Sequence, residues 1–399
     1  MKKSIVLLIC LTVFLMPIIA IATEEIPVWS EAIETLNTIK NTVELKLDCE
    51  GAILMEENTG TILYTKNEHS RLRPASVTKV MTLLLIMESI DRGEIKLTDR
   101  VLCSTRAREM GGSQIWLDET EQLTVGEMLK AICVVSANDC CVAMSEFIAG
   151  SEEAFVDKMN ARAKELGMND TTFKNCHGID EDGHLTSAYD IAIMSRELSK
   201  KHPEIHEYTK IWMDTLRDGK SQLVNTNKLI KSYSGATGLK TGSTSLALFN
   251  LSATATRNDL KLIAVVMKGP TSQQRFDDAK KLLDYGFANF NNKVIITKGT
   301  VATTIEIQKA KKAQVEIIAE NDLTALLNKG DEKNIRTEII LNENVSAPLE
   351  YFEAVGVQRC YLNDEMIGEV NLVSSEKVES KKWGNFFTEI LDFGYRLGR

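Results

Sequence analysis

The stretch Pro74-Ala75-Ser76-Val77-Thr78-Lys79-Val80-Met81-Thr82-Leu83-Leu84-Leu85-Ile86 decides how this chain is read. Proline suits the first position of a helix, and Val77, Val80, Met81, Leu84, Leu85 and Ile86 supply an apolar face to bury. Ser76 then falls in the first helical turn, with Lys79 three residues on along the same face. A serine hydroxyl is a weak nucleophile near neutral pH and needs a base within hydrogen-bond reach; a lysine serves only while neutral. Partial burial and a nearby cation, Lys240, both favour the neutral amine. The start of the helix adds free N–H groups and the positive end of its dipole, which favour a developing oxyanion.

A single Ser-x-x-Lys means little, since a second one, Ser374-Ser375-Glu376-Lys377, lies in what reads as a domain edge. Order and spacing give the first its weight: Ser136-Ala137-Asn138 follows it, and then Lys240-Thr241-Gly242. Thr124 and Glu127 form a capping box for an apolar helix over residues 128–135, which ends where Ser136 begins. Upstream, residues 52–55 and 61–64 flank a glycine-containing turn and predict a hairpin. Downstream of the Lys-Thr-Gly, residues 248–255 and 260–267 read as strands. Beyond about Asn292 short alternating segments at 301–307, 315–319, 335–341, 354–357 and 366–372 predict a small all-β sandwich with no catalytic constellation.

Further short motifs accompany the three: Gly111-Gly112-Ser113, Asn175-Cys176-His177-Gly178-Ile179-Asp180, Ser187-Ala188-Tyr189-Asp190, Asn225-Thr226-Asn227 and the Gly238-Leu239 that leads into Lys240. From about Cys49 to its end the chain resembles the low-molecular-mass penicillin-binding proteins of peptidase family S11, the serine-type D-alanyl-D-alanine carboxypeptidases. The resemblance implies an α+β fold: a serine β-lactamase/transpeptidase-like domain over residues 45–290, built of an antiparallel sheet and a helical subdomain. A β-sandwich over 295–378 and a C-terminal amphipathic helix over 381–399 follow. It implies that Ser76 is acylated, Lys79 acts as its base, and Ser136 relays a proton between Lys79, Lys240 and the leaving amine. Asn138 holds the penultimate amide of the substrate, Lys240 and Thr241 hold its terminal carboxylate, and the N–H groups of Ser76 and Ser243 form an oxyanion hole. Gly242 lets backbone approach substrate. The expected partners are peptidoglycan stem peptides, with β-lactams as covalent inhibitors of Ser76. His177 is expected to be a structural contact near the site rather than the base.

Related activities stay open at this level: a β-lactamase, a D,D-endopeptidase, or a non-hydrolysing penicillin-binding sensor or scaffold. Ala137 where Ser-Asp-Asn has aspartate, and the lack of a Glu-x-x-Leu-Asn between Ser136 and Lys240, lean away from a class A β-lactamase. The five histidines contain no His-Glu-x-x-His, which disfavours a zinc peptidase; no metal or cofactor is expected.

At the amino end Lys2 and Lys3 precede an apolar run to Ala22, closing on Ala20-Ile21-Ala22. This predicts an export signal over residues 1–22, cleaved near Ala22. The 47 basic residues, less those two lysines, face 56 acidic ones, so the acidic body argues against nucleic acid as a partner. Of eight cysteines, Cys10 sits in the leader; the odd remainder predicts no disulfide framework, and Cys133, Cys140 and Cys141 read as small core residues. Trp383, Phe386, Phe387, Ile390 and Leu391 share one helical face beside Lys381, Lys382, Arg396 and Arg399, which predicts a helix lying in the membrane surface. The expected location is the outer face of the cytoplasmic membrane or the wall.

Overall fold

The computed structural model describes residues 44–381, except Ala313. The proposed leader and almost all of the tail helix lie outside the described residues. The hairpin expected near the start is present as β1 (Gly51–Glu56) and β2 (Ile62–Lys66). Next come a 3-10 turn, Ala75–Thr78, and α1 (Lys79–Asp91). The expected first helical turn is therefore the tighter 3-10 form, and the α-helix proper begins at the lysine. A helical region follows, made of β3 (Arg100–Leu102), α2 (Thr105–Arg108), β4 (Gln122–Thr124), α3 (Val125–Val135), α4 (Asn138–Ala149), α5 (Glu152–Glu165), α6 (Ala188–Lys201) and α7 (Ile205–Thr209). The Thr124–Glu127 capping box starts α3, as its sequence predicts, and Ser136 ends it in the left-handed conformation.

The chain then returns through the hairpin β5 (Met213–Leu216) and β6 (Ser221–Val224) and the short α8 (Leu229–Ser232). It completes the main sheet with β7 (Ala236–Thr244), β8 (Leu248–Arg257) and β9 (Leu260–Gly269), and crosses that sheet with α9 (Ser272–Asn289). The sheet runs β2-β1-β9-β8-β7 and is antiparallel throughout, which leaves β7 as an edge strand. Its central strands read as unbroken apolar runs because both faces are covered. Leu54, Leu251, Leu262 and Ala264 pack with Phe276, Leu282 and Leu283 of α9, each large side chain contributing about 2 kcal/mol by burial. Ile53, Met55, Ile263 and Val265 alternate with them and are equally buried, and α6 packs on β1 and β9.

Directly after α9 the chain enters β10 (Phe290–Ile296), followed by β11 (Val301–Glu306), β12 (Gln314–Ala319), β13 (Leu323–Asn328), β14 (Ile335–Leu341), β15 (Ala354–Leu362) and β16 (Glu365–Ser374). A five-stranded sheet, β11-β12-β16-β15-β14, accompanies the pair β10-β13, in keeping with the expected all-β part. Strands β10 and β13 were not legible in the alternating pattern. The second Ser-x-x-Lys sits at the end of β16, where Ser374 is buried and Lys377 pairs with Glu350. Asn292, on β10, donates to Asp259 O at 3.0 Å and to Glu56 Oε1 at 3.3 Å. Those two residues mark the β8–β9 and β1–β2 turns. The register Ala236↔Ala255, Leu262↔Ala255 and Glu56↔Leu262 puts this end of the sheet opposite Gly242 and Asn250.

Candidate active site

The three motifs, far apart in sequence, meet where the 3-10 turn lies against β7 and the α3–α4 junction. Lys79 is fully buried, and its Nζ lies 3.0 Å from Ser76 Oγ, 2.6 Å from Asn138 Oδ1 and 2.5 Å from the carbonyl oxygen of His177. An ammonium satisfies all three as a donor. A neutral amine keeps two donors for the shorter contacts and turns its lone pair to Ser76. Burial pushes the Lys79 ammonium below its ordinary value. Lys240 is also buried and is lowered further, by burial first and then by the charge of Lys79. Its Nζ donates to Thr241 O at 2.9 Å.

Ser136 takes φ +65 as the C-cap of α3 and is 4 % exposed, and its Oγ has no hydrogen-bond partner. The proton relay expected of it is thus not closed in this structure. Asn138 opens α4 and is tied on both sides: Nδ2 donates to Gly111 O at 2.7 Å and its backbone N–H to Ser113 O at 2.7 Å. The Gly-Gly-Ser motif is therefore a support for Asn138. Thr226 bridges the two halves, with N–H to Val134 O at 3.1 Å and Oγ1 2.7 Å from Thr241 Oγ1. Asn225 and Asn227 bond the backbone of α7 and β7 around it.

Two glycines allow the close approach. Gly178 has φ +91, and a Cβ there would stand 1.9 Å from Ala75 O; one on Gly242 would stand 2.9 Å from Ser76 N. The turn that carries Ser76 is thus held between the 172–186 loop and β7. His177 presents its carbonyl to Lys79, while its ring, which burial pushes below the ordinary histidine value, lies 3.2 Å from Glu152. That is the structural contact expected of it. A cavity of about 430 Å³ opens beside this ring, between Met110, Glu152, Ile179 and Glu181, and none of the motif residues Ser76, Lys79, Ser136, Asn138 or Lys240 lines it.

Three supports escaped the motifs. Asn250 is completely buried and donates to Arg73 O at 2.8 Å and Pro74 O at 2.9 Å, fixing the approach to Ser76. Arg275 reaches from α9 to Gly242 O at 3.1 Å and Asn250 O at 3.3 Å. Burial lowers its guanidinium to about 10. Its signal lay in helical spacing, since Arg275, Ala279, Leu282 and Gly286 share the core-facing side of α9. His184 links Lys174 N–H, at 3.0 Å from Nδ1, to Thr78 Oγ1, at 2.8 Å from Nε2. Lys79, Lys240 and Arg275 are buried and form ion pairs with no carboxylate among the described residues, so the site is electropositive. All seven cysteines from Cys49 onward are free and buried, and Cys133 and Cys141 have thiols pushed up by burial to about 12 and about 11.

The family model for peptidase S11, D-alanyl-D-alanine carboxypeptidase, matches residues 37–271, and that for the penicillin-binding protein 5 C-terminal domain matches 290–380. The chain is 42 % identical to the D-alanyl-D-alanine carboxypeptidase DacF of Bacillus subtilis, over 85 % of this chain and 88 % of that one. The crystal structure of penicillin-binding protein 5 from Haemophilus influenzae aligns with a TM-score of 0.70 at 31 % identity, covering 85 % of this chain and all of that one. Penicillin-binding protein D2 from Listeria monocytogenes in its ampicillin-bound form aligns at 0.57 and 30 % identity, over 61 % of this chain and 100 % of that one.

Proposed function

The chain belongs to the peptidase S11 family of D-alanyl-D-alanine carboxypeptidases, and on that premise we propose that Ser76 is the residue it acylates, with Lys79 as general base. The observation that carries this assignment is the 3.0 Å contact between a fully buried lysine amine and the serine hydroxyl. Neutral Lys79 takes the Ser76 proton as Oγ bonds to the carbonyl carbon of the penultimate D-alanine. The oxyanion is received by the N–H groups of Ser76 and Ser243. Ser136 then passes the proton from Lys79 to the departing D-alanine nitrogen as the C–N bond breaks. Water attacks the ester, its proton goes to Lys79, and Ser76 recovers its hydrogen as the shortened stem leaves.

Asn138 holds the amide on the acyl side of the scissile bond. Lys240 and Thr241, backed by Gly242 on the edge strand β7, bind the terminal carboxylate, and the buried cations account for a preference for a free C-terminus. β-Lactams present a carboxylate and a strained amide to the same groups, and a relative of this fold has been solved with ampicillin. We place the catalytic domain at 45–290 and the β domain at 295–378. Residues 1–22 are assigned as an export signal and 381–399 as a helix lying on the outer face of the cytoplasmic membrane. No observation favours a non-hydrolysing sensor.

The deciding experiment follows D-alanine release from a peptide ending in Lys-D-Ala-D-Ala, with Ser76→Ala as control. Release by the parent alone supports the assignment, and release by the variant removes Ser76 from the mechanism.

A further inference from the structure

Trp116 is 75 % exposed and holds φ +60, a left-handed conformation that is strained for a bulky residue. An exposed indole gives no burial in return, yet the loop beneath it is firmly built. Asp139, fully buried, accepts the N–H of Ile115 and of Leu117, each at 3.1 Å. Arg217 donates to Ile115 O at 2.9 Å and to Trp116 O at 3.2 Å, and is itself gripped by both oxygens of Glu121, at 2.6 and 2.8 Å. Ile115 and Leu117 point inward on either side. The array immobilises the backbone and turns the indole alone toward solvent.

The loop is continuous with the active site. Ser113 O receives the Asn138 N–H at 2.7 Å, Asn138 touches Lys79, and Lys79 touches Ser76. The bonded path from Ser113 O through Asn138 and Lys79 to Ser76 is about 12 Å long, and the three residues from Ser113 to Trp116 span at most about 10 Å more. A stem peptide of four extended residues reaches about 13 Å back from the scissile carbonyl before it meets the sugar that carries it. The stem is therefore as long as the bonded path from Ser76 to Ser113, so the sugar it carries comes within reach of this loop.

We propose that Trp116 is a carbohydrate platform: its indole face stacks on a pyranose ring of the glycan to which the stem peptide is attached. The inference rests on the carboxypeptidase reading and adds a second point of recognition to it. The negatively polarised ring face suits the C–H groups on the apolar side of a pyranose. Exposed Ser113 and Asp118 and partly exposed Gln114 stand next to it for the hydroxyls and acetamides. A protein partner would require a broader apolar patch, and here the flanking exposed residues are polar.

Binding is measured by calorimetry with the full chain carrying Ser76→Ala, comparing N-acetylglucosaminyl-N-acetylmuramoyl pentapeptide with the same pentapeptide free of sugar. The sugar-bearing ligand is expected to bind about tenfold tighter, the scale of one aromatic contact; Trp116→Ala abolishes that ratio and Trp116→Tyr keeps most of it. A ratio of one in the parent, a ratio that survives Trp116→Ala, or its loss in Trp116→Tyr as well overturns the platform. Failure of the protein with intact Ser76 to release D-alanine from either ligand would instead overturn the carboxypeptidase reading, and leaves the binding ratio to decide the role of Trp116.

Discussion

His184 Nε2 donates to Thr78 Oγ1 at 2.8 Å, and the direction of that bond is fixed by its neighbours. Thr78 Oγ1 spends its own proton on Ala75 O at 2.8 Å, so it must accept from the ring; Nδ1 in turn accepts the Lys174 N–H. One tautomer of a neutral imidazole therefore braces Ala75, whose φ of +49 is the strained entry to the nucleophile turn. His184→Ala is expected to slow acylation by a fluorescent penicillin about tenfold, the effect of one lost buried hydrogen bond, with His184→Gln recovering most of it. Thr78→Val should cost a similar factor, and the double variant little more than either alone. Additive losses would break the proposed link.

The same histidine gives a stability signature. Burial lowers it from 6.5 to about 3, so on acidification the unfolded chain takes up this proton first. Stability is then lost progressively as pH falls from about 6.5 toward about 3, and fully retained above that window. Urea midpoints measured across this range should show a shallower acid decline in His184→Gln than in the parent; parallel curves would mean that the ring is not buried neutral.

Acylation should climb with pH along a limb lying below 10.5, the ordinary lysine value, because burial lowers Lys79 and the proposed base must be neutral. Lys79 also depresses Lys240, and repulsion between two charges is mutual. Lys240→Gln should therefore shift the limb to more alkaline pH besides reducing the rate. A reduced rate on an unmoved limb would show that the two amines titrate independently.

Gly178→Ala combines a left-handed φ of +91 with a methyl 1.9 Å from Ala75 O. We expect a stability loss of about 2–4 kcal/mol by thermal denaturation and penicillin labelling cut to a trace in whatever remains folded. Full labelling of a stable variant would mean that the 172–186 loop does not shape the nucleophile turn.

Lys240 and Arg275, buried and without a carboxylate partner among the described residues, predict a sharp demand for an anion. Replacing the terminal carboxylate of the peptide by an amide should lower kcat/KM about a hundredfold, since a charge-assisted contact in such a site is worth about 2–3 kcal/mol. Equal turnover of acid and amide would detach Lys240 from substrate binding.

The motif residues were legible because their chemistry fixes both residue type and order, and periodicity placed Ser76 and Ser136 at the ends of their helices, whereas β7, which carries Lys240, was not read as a strand. The hairpin, the α3 cap and the central strands β8 and β9 were equally plain from apolar patterning. What stayed hidden were contacts made by backbone. Asn250 and Arg275 bind carbonyl oxygens, which any sequence possesses, and Gly178 acts through what it lacks. Strand β10 was masked because Asn291-Asn292 reads as a turn; pairing with β13 overrides that local preference.

The β part of the chain attaches at the hairpin ends of the main sheet, through Asn292, while Gly242 and Ser76 sit at the other end of the same strands. With about ten residues in β8 and β9, those poles lie about 30 Å apart. Ser76 therefore stands about one strand length beyond the joint with the β part, a rigid offset that every movement of that joint carries with it.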